Sequence, residues 1–588
     1  MLYVALLMFK TDFGSVLQKL YWYVFVGLVL STSLKSYAQV SEQQVNQQAD
    51  QFIQQEILRR NEQQQNRDQL RQSLGIPLPE KKQAEEIVTA SGEQCFQVSE
   101  IILQGALLIE SSGDKAELVQ GFVGKCLGLN QINSLLELVT NYYQNKGYIT
   151  SRAYVPKQDL GDGSLLLVIV EGKITAIEID TGNLELLSFK SAFPKSNGEQ
   201  LNLRDLEQGL DQLNRLRSSR FTMQLLPGKE LGESKVSLQQ QAAAKAFSIV
   251  LAADNHGQKS TGEKRLSITA SLDNPVGLLG YLQFFTQQDT RRGNTPATKS
   301  QSLHYDLPYG YWHLDFDASY SRYASEVEGQ FLNFESSGRS RSQSLRLSRV
   351  LHRNVNSSTR ATATVKRREG QNFIEDTKLD ASSRTLASWA LGLNHQRYIA
   401  AGQWSIGVSY SRGVPWLQAS SKLDGEDAPE PLFEKFEFNS SFYKSLSNID
   451  GKTLAYSGSV RAQKSPDDLF GSEQISIGGQ YTVRGYQEAS YSGATGGYTR
   501  HDIIYSISQG EGMLARLFGT VSISFGGDFG RVEDGQGEWQ SLQSYGIKLQ
   551  SSHPKTRISA EFGRSFGASK FDNDDGKSLL FSAQHTLR

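Results

Sequence analysis

The sequence predicts a transmembrane β-barrel of about sixteen antiparallel strands, preceded by two α+β modules and an N-terminal α-helix. Three observations predict it. From about residue 246 to 588 the helical period vanishes and apolar residues alternate with polar ones. The connections between these segments sort by parity, tight on one rim and generally longer and polar on the other. Only one apolar run stands out, and it is too short to span a bilayer, so any membrane insertion must be as strands.

Composition agrees. The 588 residues carry a net charge of −1, 38% hydrophobic residues, 53 glycines and 24 tyrosines, with a mean hydropathy of −0.42. That profile excludes a helical membrane protein but not a barrel, where every second strand residue faces lipid. Nothing in the global charge draws the chain to nucleic acid, and none is expected as a partner.

Residues 1–38 read as a secretory signal peptide: Lys10 and Lys19, then "WYVFVGLVL" at 22–30, then Ser36 and Ala38 at the −3 and −1 positions of a cleavage site. A membrane anchor is the competing reading. Residues 39–73 are Gln-rich and free of Gly and Pro, and Val45, Ala49, Phe52, Ile53, Ile57 and Leu58 share one helical stripe behind a Ser41 N-cap. This predicts a lone, polar, amphipathic helix. Residues 74–94, with two prolines and several charges, form a linker.

Two consecutive units follow, 95–173 and 174–245, each ordered strand, helices, strand, strand. In the first, Leu135, Leu138, Val139 and Tyr142 have helical spacing; in the second, Leu206, Leu210, Leu213 and Leu216 do. Cys95 and Cys126 are the two cysteines of the chain. Export to an oxidising compartment favours a disulfide between them over two separately buried thiols.

The barrel occupies residues 246–588. Trp404, Ile406, Val408 and Tyr410 alternate with small polar residues; Trp312, Leu314, Phe316 and Ala318 alternate with His313, Asp315, Asp317 and Ser319. A soluble sandwich would show the same alternation, but it has no reason to sort its loops by parity. "DNPVG", "LPYG", "VLHRNVN", "YIAAG", "SNIDGK", "GEGML" and "SHPK" are the tight connections, and the longest of the others covers residues 464–497. An even strand count puts both barrel ends on the short-turn, periplasmic side, where the two modules must also sit.

In this order the chain resembles the TpsB transporters of two-partner secretion, the haemolysin and adhesin secretion/activation proteins. They belong to a superfamily that also includes the barrel-assembly machinery. The resemblance rests on "GKCLGLNQI" and "YYQNKGYITSRAYVPKQDLGDGSLLLVIVEGKI" in the first module, "LNRLRSSRFTMQLLPG" in the second, "DNHG" at the barrel start and "TVRGY" at 482–486. It implies that 95–173 and 174–245 are POTRA modules and that helix 39–73 plugs the resting pore; a free periplasmic coiled-coil stub is the alternative. It implies further that Val483, Arg484, Gly485 and Tyr486 lie at the tip of loop 464–497, folded back into the lumen. There the arginine would pair with the aspartate of an inner-wall motif, aromatic-x-Asp-x-Gly. "SFGGDFG" supplies Asp528 and Gly530, but the aromatic position holds Gly526, with Phe525 one residue early. The family's terminal phenylalanine is also missing: the chain ends "SLLFSAQHTLR", although Phe581, Ala583, His585 and Leu587 keep the alternation.

The implied function is export, with or without activation, of a large, unfolded, β-rich exoprotein, haemolysin- or adhesin-like, captured by the POTRA modules and passed through the sixteen-stranded pore across the outer membrane of a Gram-negative bacterium. Partners would be that exoprotein, outer-membrane lipid and, during biogenesis, the barrel-assembly machinery and periplasmic chaperones. The alternative is an outer-membrane assembly factor of the same superfamily. No cofactor, catalytic residue or metal site is expected. None of the eight histidines has metal-ligand spacing, and no G-x-S-x-G, P-loop or dinucleotide fingerprint occurs. Carboxylate pairs such as Asp315/Asp317 read as lumen lining.

Overall fold

The computed structural model describes residues 58–59, 95–181, 191–195, 197–241, 245–290, 298–328, 333–420, 429–508, 518–566 and 574–587. The signal peptide, the linker and nearly all of the N-terminal helix lie outside the described residues.

The first module opens with β1 (Phe96–Val98) and β2 (Glu100–Gln104). One continuous strand was expected here, but Ser99 bends the chain and the two pieces join different sheets. β1 pairs with β3 (Lys125–Leu127), and β2 pairs with β5 (Ser164–Val170), which also takes β4 (Arg152–Tyr154). Helix Leu129–Asn145 covers that sheet, burying Ile132, Leu135, Val139 and Tyr143. The buried stripe is thus rotated from the expected one, and Leu138 is 41% exposed. Cys95 and Cys126 are bonded across the β1–β3 pair, with Cα atoms 5.3 Å apart. Closing a loop of this length stabilises the module by about 3–4 kcal/mol through the unfolded chain. Cys95→Ser should therefore make this module protease-sensitive at a lower urea concentration while leaving the barrel unchanged.

The second module repeats the plan with β6 (Lys173–Thr181), helix Leu203–Asn214, β7 (Phe221–Pro227) and β8 (Glu233–Gln240), in sheet order β6-β8-β7. Leu206, Leu210, Leu213 and Leu216 are all buried, as their spacing predicted. Asn202 caps the helix, accepting from the Arg204 backbone N–H.

Among the described residues, sixteen antiparallel strands close into a barrel. Chain order gives β9 (Phe247–Asp254), β10 (Arg265–Asp273), β11 (Tyr281–Asp289), β12 (Lys299–Tyr309), β13 (Trp312–Glu328), β14 (Asn333–Arg353), β15 (Ser357–Ile374) and β16 (Thr377–Ile399). They continue with β17 (Gly402–Gly413), β18 (Glu434–Ile449) and β19 (Lys452–Lys464). Two short strands, β20 (Ile475–Ile477) and β21 (Tyr491–Gly493), pair within the long loop. The barrel resumes with β22 (Thr495–Ser508), β23 (Thr520–Glu533), β24 (Trp539–Ser552), β25 (Thr556–Ser565) and β26 (Lys577–Leu587). β26 pairs with β9 through Ser582–Leu587 and closes the wall.

The alternation holds on the outside. Trp312, Leu314, Phe316, Trp404, Val408, Ile523 and Phe525 are all exposed on the outer face, where lipid meets them. Phe581 and Leu587 face outward on the last strand as well. β14 and β16 begin at Asn333 and Thr377, several residues ahead of the starts near 341 and 384 that the alternation predicts. Their upper ends, such as "NFESSGRSR", are polar on both faces, so the strand continues where alternation gives no signal. For the same reason β15 and β16 meet in a two-residue turn, Glu375–Asp376, on the rim expected to carry long loops. "GEGML" lies outside the described residues.

The second module docks on the short-turn rim. Gln208 and Gln212 donate to the Gly310 carbonyl at 3.0 and 3.2 Å, and the Tyr311 hydroxyl donates to Asp205 at 2.6 Å. Arg353 donates to Asp211 at 2.6 Å, and Leu279 from a barrel turn joins the module's own apolar core.

Candidate functional site

The chain between β19 and β22 folds into the lumen and is seated there by apolar packing. Val483 and Tyr486 are buried with Ile475 and Ile477 of the loop and with Val532 and Leu542 of β23 and β24. This cluster brings the VRGY tip against the inner wall. Gly485 makes the turn: its φ is +87°, and an added Cβ would lie 2.9–3.0 Å from the Arg564 backbone.

Arg484 then meets the wall. Its Nε donates to Asp528 Oδ2 at 2.7 Å and one terminal amine donates to Oδ1 at 2.6 Å. The Arg484 backbone N–H adds a third bond to Oδ2 at 2.9 Å. This is a bidentate fork, with both partners out of water: Arg484 is 2% exposed and Asp528 5%. A paired carboxylate offsets the cost of burying the guanidinium, which an unpaired one could not. Gly530 faces the same tip, where a Cβ would crowd Ile477 and Val483 at 2.8 and 2.9 Å.

Three wall residues at this site escaped sequence reasoning. The second terminal amine of Arg484 donates to Asp502 at 2.8 Å. Arg500 lies 3.5 Å from Asp528 and also donates to the Gln480 carbonyl at 2.8 Å. The Ser544 hydroxyl donates to Asp528 at 3.2 Å. In "TRHDII" Arg500 and Asp502 alternate with outward His501 and Ile503, so their inward direction was legible, though not their partner.

Asp502 also accounts for the departure at Gly526. The two residues stand opposite each other in the β22–β23 register. An added Cβ at Gly526 would lie 2.1 Å from the Asp502 carboxylate and 2.2 Å from the Arg484 guanidinium. A second carboxylate thus occupies the space that an aromatic side chain would need. Gly526→Phe should displace the loop tip and lower secretion at least as far as loss of Arg484 does, read as exoprotein in the medium at equal barrel abundance.

A second anchor holds the base of the loop. Glu473, 5% exposed, meets Lys366 at 3.2 Å and Arg368 at 3.4 Å, both from β15, and Lys435 at 2.9 Å, from β18. Arg368 donates to the Ser472 carbonyl at 2.5 Å, and Arg384 stacks 4.2 Å from the buried Phe470 ring. The descending end of the loop reaches the seam where β9 meets β26. Gln487 donates to the Asn255 and Gly257 carbonyls at 3.1 and 2.8 Å. Asn255 in turn accepts from the Phe581 N–H at 2.6 Å and donates to the Leu579 carbonyl at 2.8 Å. The "DNHG" segment therefore ties loop to seam.

Residues 232–550 match the model described as haemolysin secretion/activation protein ShlB/FhaC/HecB. The chain belongs to the haemolysin secretion/activation family. Residues 96–172 match a POTRA domain of ShlB type and 173–227 a second POTRA domain. An outer membrane transporter CdiB of Dickeya dadantii is 37% identical over 410 residues, 70% of this chain and 72% of the relative. The hemolysin transporter ShlB of Serratia marcescens is 29% identical over 483 residues, 80% and 82% of the two chains. The solved structure of CdiB from Escherichia coli superposes with a TM-score of 0.83 at 29% identity, covering 91% of this chain and 98% of that one. The protein is an outer-membrane transporter barrel of the family, with its POTRA modules in the periplasm.

Proposed function

We infer that this family member secretes one large partner exoprotein through its own barrel, and that it does no covalent chemistry on it. The observation that carries this is the doubly anchored loop: a long segment held inside the barrel by buried ion pairs at its tip and at its base. Such an element narrows the lumen yet releases by breaking polar contacts that an incoming chain can replace. The POTRA sheets supply the capture surface. β4 and β2 edge the first sheet, and β7 and β6 edge the second, so an extended passenger can add a strand and be read through its main chain. Pro227 closes the β7 edge and limits where such a strand can start.

The N-terminal helix is the resting plug in this reading. Its described residues support it: Arg59 is 6% exposed, and its guanidinium lies 4.2 Å from the centroid of the Phe285 ring, which faces the lumen from β11. The barrel-assembly machinery and periplasmic chaperones serve its biogenesis as for other barrels. Deleting the gene should remove one large exoprotein from the medium and leave the general outer-membrane barrels at normal abundance. A broad fall in those barrels, with no single exoprotein lost, would establish the assembly reading instead.

A further inference from the structure

The hairpin of β12 and β13 carries a side-chain group that neither loop anchor uses. Its turn, Gly310–Tyr311, is one of those on which the second POTRA module docks. The register sets His304 opposite Asp317 and Asp306 opposite Asp315, with His313 opposite Pro308. These positions alternate with Leu303, Trp312, Leu314 and Phe316 on the lipid face. All five polar side chains therefore point into the lumen just inside the periplasmic mouth.

Their distances are those of a coordination shell. His304 Nε2 lies 3.5 Å from Asp306 Oδ2. His313 Nε2 lies 3.9 Å from the same oxygen and 3.4 Å from Asp315 Oδ1. Ligand atoms of His304, Asp306 and Asp315 all fall within 4.8 Å of one another, and each of those residues is buried. A tetrahedral ion with ligands at about 2.0–2.1 Å has ligand atoms roughly 3.3–3.5 Å apart, so small rotations would bring the His304, Asp306 and Asp315 atoms onto one centre, with His313 Nε2 beside the two carboxylates. His313 Nε2 is buried and has no hydrogen-bond partner among the described residues. It points at the two carboxylates from a distance that suits a shared cation.

The surrounding shell is also of the right kind. Asp317 Oδ1 lies 2.8 Å from His304 Nδ1; with Nδ1–H donating to this carboxylate, Nε2 is the ligating atom. Arg215 of the second module is ion-paired to Asp306 through Oδ1. Two imidazoles and two carboxylates suit a borderline ion such as Zn2+ better than Ca2+ or Mg2+, which prefer oxygen alone.

We propose that His304, His313, Asp306 and Asp315 form a tetrahedral site for a divalent transition metal of the zinc class. Through Arg215, it ties the second POTRA module to the barrel mouth.

The test uses the full chain in detergent, without a histidine tag, stripped with chelator and titrated with Co2+. The expected result is about one Co2+ per chain with the intense visible bands of tetrahedral coordination, displaced by Zn2+. His313→Gln, which keeps volume and hydrogen bonding but is a poor ligand, should weaken binding roughly 100-fold. His395→Ala, on an exposed position of β16, should leave it unchanged. Each variant is first checked for heat-modifiable migration. If one fails that check, wild-type stoichiometry and band shape decide alone. Binding well below one ion per chain, bands of octahedral intensity, or equal affinity in His313→Gln would overturn the proposal.

Discussion

Arg484→Ala should abolish secretion of the partner while the barrel still inserts and remains heat-modifiable. The side chain makes three bonds to the wall, two to Asp528 and one to Asp502. Removing it leaves Asp528 buried beside Arg500 and Ser544 alone. Breaking a buried pair from one side costs about 3–5 kcal/mol, enough to release the tip from its seat. Asp528→Ala should do as much, because it takes away both arms of the fork and the acceptor of the Arg484 backbone N–H. Asp502→Ala should do far less, since it removes one bond to a partly exposed carboxylate. Exchanging the charges of 484 and 528 should not restore secretion. The arginine placed at 528 would face Arg500, and the aspartate placed at 484 would face Asp502. Immunoblots of the medium, normalised to barrel abundance, rank the variants. Normal secretion from both alanine variants would reduce the pair to a passive contact.

Glu473→Gln should release the other end of the loop. Three cations converge on this carboxylate, and Arg368 and Lys435 are themselves almost fully buried. The neutral amide leaves them to repel one another in the lumen, again at a cost of about 3–5 kcal/mol. The expected readouts are a larger single-channel conductance in planar bilayers and higher sensitivity of cells to a bulky antibiotic, together with reduced secretion. Lys366→Gln tests the same cluster mildly: its side chain is 29% exposed, so water takes over part of its role. Unchanged conductance in Glu473→Gln would show that the tip anchor alone holds the loop.

The two anchors differed in how far the sequence revealed them. Arg484 and Asp528 stood in motifs that could be paired across 44 residues by resemblance. Glu473 sits in "FGSEQISIGG" and its cations in "TVKRREG" and "FEKFEF", where nothing local marks them as partners. The pairing exists only because barrel closure brings β15 and β18 around the same loop. The histidine–aspartate group shows the same limit in another form. Spacing within either strand held no metal pattern, yet His304-x-Asp306 and His313-x-Asp315 flank a turn that puts them face to face.

The sequence by itself determined the architecture: two modules, about sixteen strands, the sorting of most turns between the rims and the lipid-facing set. Those are local properties, written in a period of two or of 3.6 and in turn residues, and neighbouring strands pair almost entirely with their sequence neighbours. Apart from the Arg484–Asp528 pair that the resemblance implied, tertiary structure decided what meets inside the barrel. Lumen-facing residues are polar whichever partner they take, so alternation gives their direction and nothing more. Closure of β26 onto β9, the descent of one loop and the docking of the second module select, among those inward side chains, the few that become buried. Where the loop packs against the wall water is excluded, and a charge buried there must have a partner; that requirement made Arg484, Asp528 and Glu473, with Asp502 beside them, a site.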